Sequence, residues 1–177
     1  PGTVALSWLG QSKWIVFFAS LLYLLHGSEI EGWVAYELGH FKRRHVIQRS
    51  AWSVAMSLVF LSVLGYLMQQ DWFYQGLGVS VSSVPSTAMA LLLFFLVMPA
   101  FTFLFQPMAS LYSRKHEFEA DEYAARNASA TDLMRALVKL YQDNAATLTP
   151  DPLHSAFYDS HPPAAMRIAR LQNLAHK

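Results

Sequence analysis

Cysteine is absent from this chain of 177 residues. That excludes disulfides, thiolate metal sites and a cysteine nucleophile, so any metal must be held by His, Asp, Glu or Tyr. Charge is scarce as well: Asp, Glu, Lys and Arg make up 14% of the residues, against roughly 25% in ordinary soluble proteins. With 54% hydrophobic residues and a mean hydropathy of +0.24, the composition argues against disorder and against a free-standing soluble domain. A basic excess is missing too. The 13 Lys and Arg against 12 Asp and Glu leave a net charge of +1, which argues against nucleic acid as a partner held by counterion release. The length suits about one domain.

The few charges are unevenly placed. None occurs between Arg49 and Asp71, and none between Asp71 and Arg114. Residues 50–68 read SAWSVAMSLVFLSVLGYLM, close to the ~20 residues a helix needs to cross a hydrocarbon core of ~30 Å. Residues 86–108 contain MALLLFFLVMPAFTFLF, apolar on every face rather than at i, i+3, i+4 spacing. Two spanning helices are therefore predicted, over about 50–68 and 86–108, as a transmembrane hairpin filling residues 50–110. Between them QDWFYQGLGVSVSSV, with Trp72, Phe73 and Tyr74 together, has the composition of an interfacial turn. Lys42, Arg43, Arg44 and Arg49 precede the first span, and Arg114 and Lys115 follow the second. The positive-inside tendency then puts both flanks on the cytoplasmic side of a multi-pass integral membrane protein, with the lipid bilayer as a partner.

The flanks read as water-facing protein. Residues 1–49 form a strand or helix segment, in which WIVFFASLLYLL is too short to span a membrane and periodicity leaves strand and helix open. Its WIVFFASLL part can supply an edge strand that aligns an extended substrate by backbone hydrogen bonds. Residues 29–48 are helical in character, and residues 111–177 form a cytoplasmic helical segment. Within that segment Ser129 and Asp132 resemble a capping box, followed by an apolar stripe of Leu133, Ala136, Leu137, Leu140 and Tyr141 that reads as core. Residues 147–163 read as a proline-punctuated loop, and residues 164–174 as a closing helix with Ile168 and Leu171 on one side.

Two spacings carry chemistry. Tyr36-Glu37-Leu38-Gly39-His40 is the H-E-x-x-H zinc motif with Tyr in place of the first His. In that motif, side chains at i and i+4 share a helix face and grip one zinc, while the Glu points at the metal-bound water. After the second span, Glu117 and Asp121 are again i and i+4 on a helix face. On a continuous helix His45 lies about 140° around from His40, five steps of ~100°, and makes a poor substitute ligand. His116, next to Glu117, points away by similar reasoning.

YELGHFKRRH, two hydrophobic spans, SRKHEFEADEYAA and then DSHPPAAMRIARL together resemble the integral-membrane zinc endopeptidases called CAAX prenyl protease type I, which have bacterial relatives. The resemblance covers nearly the whole chain, and three motifs in this order around a membrane hairpin are specific. It implies a mainly α, integral-membrane fold: a two-helix transmembrane hairpin joined to a gluzincin-like zinc-protease half-domain. It implies Zn2+ as cofactor and hydrolysis of a peptide or protein substrate by metal-activated water. Residue by residue, His40 and Glu117 match zinc ligands, Tyr36 the position of the missing histidine, and Glu37 the general base. Asp121 matches the carboxylate that orients a zinc histidine from behind, while His161 and Arg167 match the pair that contacts substrate backbone and oxyanion. Family members are longer, with more membrane helices upstream, and this chain starts without Met close to a hydrophobic run. The resemblance therefore implies the C-terminal catalytic half of a longer parent chain. Tyr36 departs from the pattern, since catalytic zinc takes three protein ligands and an open position. Impaired hydrolysis is expected, with a silent pseudoprotease that binds peptides or partner subunits as the alternative.

Overall fold

The computed structural model describes residues 5–9, 12–16, 19–80, 86–144 and 149–175, and among these the architecture is mainly α-helical. A hairpin opens it, with β1 (Ala5–Leu9) antiparallel to β2 (Ser12–Val16) in a register from Ala5 opposite Val16 to Leu9 opposite Ser12. The apolar run that periodicity left undecided thus ends one strand and begins a helix, α1 (Ala19–Leu24). The stretch expected as one helix over 29–48 is broken: α2 (Gly27–Lys42) stops, Arg44 takes the left-handed backbone at φ 57°, and α3 (His45–Leu67) begins anew. Then follow α4 (Asp71–Gly76), α5 (Thr87–Asn127), α6 (Ala130–Asp143), α7 (Pro152–Tyr158) and α8 (Ala164–Ala175).

The chain divides into two compact units, one of residues 46–107 and one that joins residues 1–45 to residues 108–177. In the first, α3, α4 and the early turns of α5 share a core of Leu64, Phe73, Tyr74, Ala90, Leu93 and Phe94. The expected interfacial turn is in part a helix, because Phe73 and Tyr74 bury their rings in that core and the Tyr74 hydroxyl donates to the Met68 carbonyl at 3.0 Å. Elsewhere α3 and this part of α5 turn apolar side chains outward, and both helices are long and apolar enough to cross a membrane. Pro99 and Pro107 both lie inside α5, which carries the second apolar run and, beyond residue 108, the charged residues of the second motif in one continuous helix.

The second unit packs α2, α6, α8 and the last turns of α5 around Ala35, Tyr36, Ala120, Ala124, Leu133, Leu137 and Leu171. Two glycines of α2 permit this closeness. A Cβ on Gly32 would meet the Leu133 backbone of α6 at 3.0 Å, and one on Gly39 the Ala120 backbone of α5 at 3.0 Å. The stripe read from α6 is core as expected, and Ser129 caps that helix by accepting from the Asp132 amide at 3.2 Å. Within the proline-punctuated stretch, read as a loop, residues 152–158 form a helix, and residues 147–148 lie outside the described residues. Asp151 accepts from the amides of Leu153 and His154 at 3.0 and 2.9 Å, and Pro152 sits at the first helical position of α7, where its missing N–H costs nothing.

Candidate metallopeptidase site

Every residue singled out from the motifs falls in this second unit, on three elements. Helix α2 supplies Tyr36, Glu37 and His40, α5 supplies Glu117 and Asp121, and α8 with the turn before it supplies Arg167 and His161. The close approach at Gly39 sets α2 against the turn of α5 that carries these carboxylates. Three bonds fasten the segment that leads into His161: Ser110 Oγ donates to the Asp159 carbonyl at 2.8 Å, and an Arg114 guanidinium nitrogen donates to both the Ser155 carbonyl and Ser155 Oγ, the latter at 2.9 Å.

Glu117 is the hub. Its Oε2 accepts from the Tyr36 hydroxyl, lies 3.1 Å from His161 Nδ1 and 3.6 Å from a guanidinium nitrogen of Arg167. Its Oε1 faces His40 Nε2 at 3.7 Å. Burial alone would raise the Glu117 carboxyl, but the His161 hydrogen bond, the Arg167 charge and the Tyr36 hydroxyl outweigh it and bring it down to about 2. Asp121 is fully buried and takes a two-pronged bond from Arg167, Nε at 2.9 Å and Nη2 at 2.6 Å. The same guanidinium carbon stands 4.7 Å over the Tyr36 ring. Both Asp121 oxygens thus serve Arg167.

Glu37 lies in the same field. Burial first, and then the Glu117 charge, raise its carboxyl to about 7, with Arg167 and His161 opposing. Such a group is poised to exchange a proton near neutral pH. Burial also lowers His40 to about 4, so its imidazole is neutral, and the opposing pull of Glu117 does not restore it. Beside His161 opens a cleft of about 350 Å³ lined by Tyr141, His154, Tyr158 and Asp159 among others. The Tyr141 hydroxyl donates to the Pro162 carbonyl at 3.2 Å and steadies the proline turn.

Three side chains passed over in the sequence belong to this site. His45 Nδ1 lies 3.0 Å from His40 Nδ1, its Nε2 lies 3.1 Å from Glu119 Oε2, and its ring stacks on His116 at 4.2 Å. The 140° separation assumed one helix through residue 45, and the break at Arg44 removes that assumption. His116 does turn away from Glu117, onto His45. No spacing rule marks Glu119, which sits between the two motif carboxylates and faces elsewhere.

Peptidase family M48 matches residues 5–175. The chain belongs to peptidase family M48. Among its relatives are CAAX prenyl protease 1 of Saccharomyces cerevisiae, 29% identical over 94% of this chain and 39% of that protein, and the CAAX prenyl protease 1 homolog of Arabidopsis thaliana, 31% identical over 89% of this chain and 37% of that protein. The crystal structure of S. mikatae Ste24p is similar with a TM-score of 0.80 at 28% identity, over 96% of this chain and 42% of that one. The resemblance read from the three motifs is therefore borne out, as is the mainly α fold with two apolar helices. This M48 chain spans about two fifths of the length of the relatives it matches.

The family is one of zinc metalloendopeptidases, so the donor set can be tested against zinc. Two donors on one tetrahedral zinc, each bonded at ~2.1 Å, stand ~3.4 Å apart, and the 3.7 Å between His40 Nε2 and Glu117 Oε1 is near that value. The third donor fails. Burial, and then the neighbouring Glu117, hold the Tyr36 phenol well above its usual 10, so it keeps its proton and spends it on Glu117. Among the described residues no three His, Asp or Glu side chains come together as metal ligands. Among the described residues, this donor set does not fit a three-ligand catalytic zinc.

Proposed function

We propose that this chain is the peptide-engaging half-domain of a membrane-embedded M48 metalloendopeptidase whose hydrolysis is impaired by Tyr36. The observation that carries the reading is the Tyr36 hydroxyl bonded to Glu117, a proton placed where the family needs a third metal donor. The contacts of the remaining groups support the rest of the reading: His40 and Glu117 face each other as two donors, Glu37 is the base, and His161 and Arg167 both reach Glu117, His161 at the edge of the cleft. In this reading His161 and Arg167 bind the carbonyl groups of an extended peptide, and β1–β2 offers it an edge for backbone pairing. The two apolar helices span the bilayer as a hairpin, with the motifs on the cytoplasmic side where Lys42, Arg43, Arg44, Arg49, Arg114 and Lys115 cluster. Upstream membrane helices of a longer parent chain are partners of this half-domain, in keeping with the greater length of its relatives. The substrate class is a peptide or protein segment.

A second reading, an active zinc metalloendopeptidase, is favoured by Glu37, whose raised carboxyl is what a general base at neutral pH requires. Metal content and cleavage of a quenched peptide separate the two, measured on the detergent-purified chain and on Tyr36→His, each with and without Glu37→Gln. The proposal expects the native chain to hold far less than one zinc and to cut nothing in a Glu37-dependent way. It expects Tyr36→His to gain about one zinc and Glu37-dependent cleavage. Stoichiometric zinc with Glu37-dependent cleavage in the native chain would establish the second reading instead.

A further inference from the structure

The cleft beside His161 holds a charge that the cluster around Glu117 does not use. Asp159 ends α7 and lines that cleft together with Tyr141, His154 and Tyr158. Its bonds run through the backbone: its N–H donates to the Ser155 carbonyl at 3.1 Å, and its carbonyl accepts from Ser110 Oγ at 2.8 Å. Among the described residues no hydrogen bond or ion pair reaches its half-buried carboxylate. We propose that this cleft is a specificity pocket for a basic side chain of the bound peptide, arginine ahead of lysine, with Asp159 as the counter-charge.

The lining selects that occupant. A half-buried carboxylate without a cation destabilises the folded chain, and a ligand that brings the cation relieves it. The cleft has none of its own. Neither Lys nor Arg lines it, and residues 145–148, between α6 and α7 in the sequence, are Ala-Ala-Thr-Leu. Arg114, which reaches α7, donates to the Ser155 carbonyl and hydroxyl, and His161 turns Nδ1 to Glu117 at 3.1 Å. The walls are planar rings. Those of His154 and Tyr158 lie 4.8 Å apart at 31°, and Tyr158 is 63% exposed, so much of its ring is uncovered. A guanidinium stacks on such a ring and gives a carboxylate two parallel N–H bonds, whereas an ammonium acts as a point charge. Tyr141 ties the carboxylate to the same space: burial, and after it the charges of Glu117 and Asp159, raise its phenol against the pull of Arg167. At about 350 Å³ the cleft is at the small end of the ~300–1,000 Å³ range of ligand pockets, a size for a side chain rather than a folded partner.

The inference rests on the peptide-engaging reading and deepens it, since a peptide held at His161 lies against the cleft that His161 lines. The experiment is fluorescence anisotropy of short labelled peptides with the full chain in non-ionic detergent. Arginine is placed at each peptide position in turn and compared with citrulline, which keeps the shape and loses the charge. At one position arginine should bind roughly tenfold tighter than citrulline, with lysine between them. Asp159→Asn should remove that difference by weakening the arginine peptide, and Tyr158→Leu should narrow the lead of arginine over lysine. The unfolding midpoint should stay in place in Asp159→Asn, because the carboxylate holds no other part of the fold. Peptides that bind with no position preferring arginine, or a preference that survives Asp159→Asn, overturn the pocket. A second probe separates the pocket from the peptide reading: N-acetylarginine methylamide should shift the ring NMR signals of Tyr158 and His154 in the native chain and not in Asp159→Asn. A ring response without peptide binding supports the pocket and overturns the peptide-engaging reading. If no peptide binds and the rings do not respond, both fall.

Discussion

The two units of this chain invert opposite rules. Residues 46–107 leave large apolar side chains uncovered, Leu61 at 64%, Leu92 at 64%, Phe95 at 69% and Leu96 at 72% exposure. The unit built from residues 1–45 and 108–177 does the reverse and buries Glu29, Glu117, Asp121, Arg167, His45 and His116 below 5%. Each inversion has its own compensation. An apolar surface is stable where the surroundings are lipid, as a pair of charge-free helices of spanning length requires. Buried charge is stable only where partners are close, and here every carboxylate of the cluster has one: Lys139 at 2.6 Å from Glu29, Arg167 at 2.6 Å from Asp121 and His161 at 3.1 Å from Glu117. One unit is held by its solvent and the other by its network.

The largest effect should come from cutting the network at its one shared cation. Arg167→Ala leaves Asp121 without a partner and removes a cation from Glu117, so thermal unfolding followed by Trp fluorescence in detergent should report a loss of ~3–5 kcal/mol. An equal loss from Leu92→Ala, on the outward face of α5, would erase the distinction between the units.

Glu37 sharpens the contrast through pH. Its carboxyl stands at about 7 when folded against an ordinary 4.5, so the folded state is penalised once Glu37 ionises. That penalty is absent below the unfolded value and complete above the folded one. Glu37→Gln should therefore stabilise the chain by ~2–3 kcal/mol at pH 8 and change nothing at pH 4, read as the pH dependence of the unfolding midpoint.

Glycine gives the mildest comparison, and one with opposite signs. Gly39→Ala pushes a methyl to 3.0 Å of the α5 backbone and should cost ~1–3 kcal/mol, with a fall in any metal binding gained by Tyr36→His. Gly65→Ala, in α3 with nothing within 4 Å, should gain ~0.5–1 kcal/mol from helix propensity alone.

The parts of this architecture legible in the sequence are those where one residue type has one physical meaning. Charge-free runs of spanning length, an i, i+4 pair on each of two helices, and Ser129 three residues before Asp132 all translate directly into geometry. The break between α2 and α3 does not. Residues 42–44 are Lys-Arg-Arg, with neither the Gly nor the Asn that usually marks a left-handed helix end, and Arg44 adopts that conformation nonetheless. Missing the break hid the contacts of His45 with His40 and with Glu119. Asp121 was matched to a carboxylate that orients a metal histidine; both its oxygens accept from Arg167, and Glu119 reaches His40 by way of His45. The helices 71–76 and 152–158 lie in stretches read as an interfacial turn and a loop for a simpler reason: both are too short for periodicity, and both are fixed by tertiary contacts or a single cap.

The fit of the phenol at position 36 has a genetic corollary. Its ring rests 5.0 Å from that of Trp33 and edge-on to His40 at 4.8 Å, and its oxygen meets Glu117, with no helix interrupted to admit it. Tyrosine and histidine codons differ only in their first base. A lineage carrying this chain is thus a single transition away from a histidine at position 36, a change that asks for no rebuilding of the scaffold.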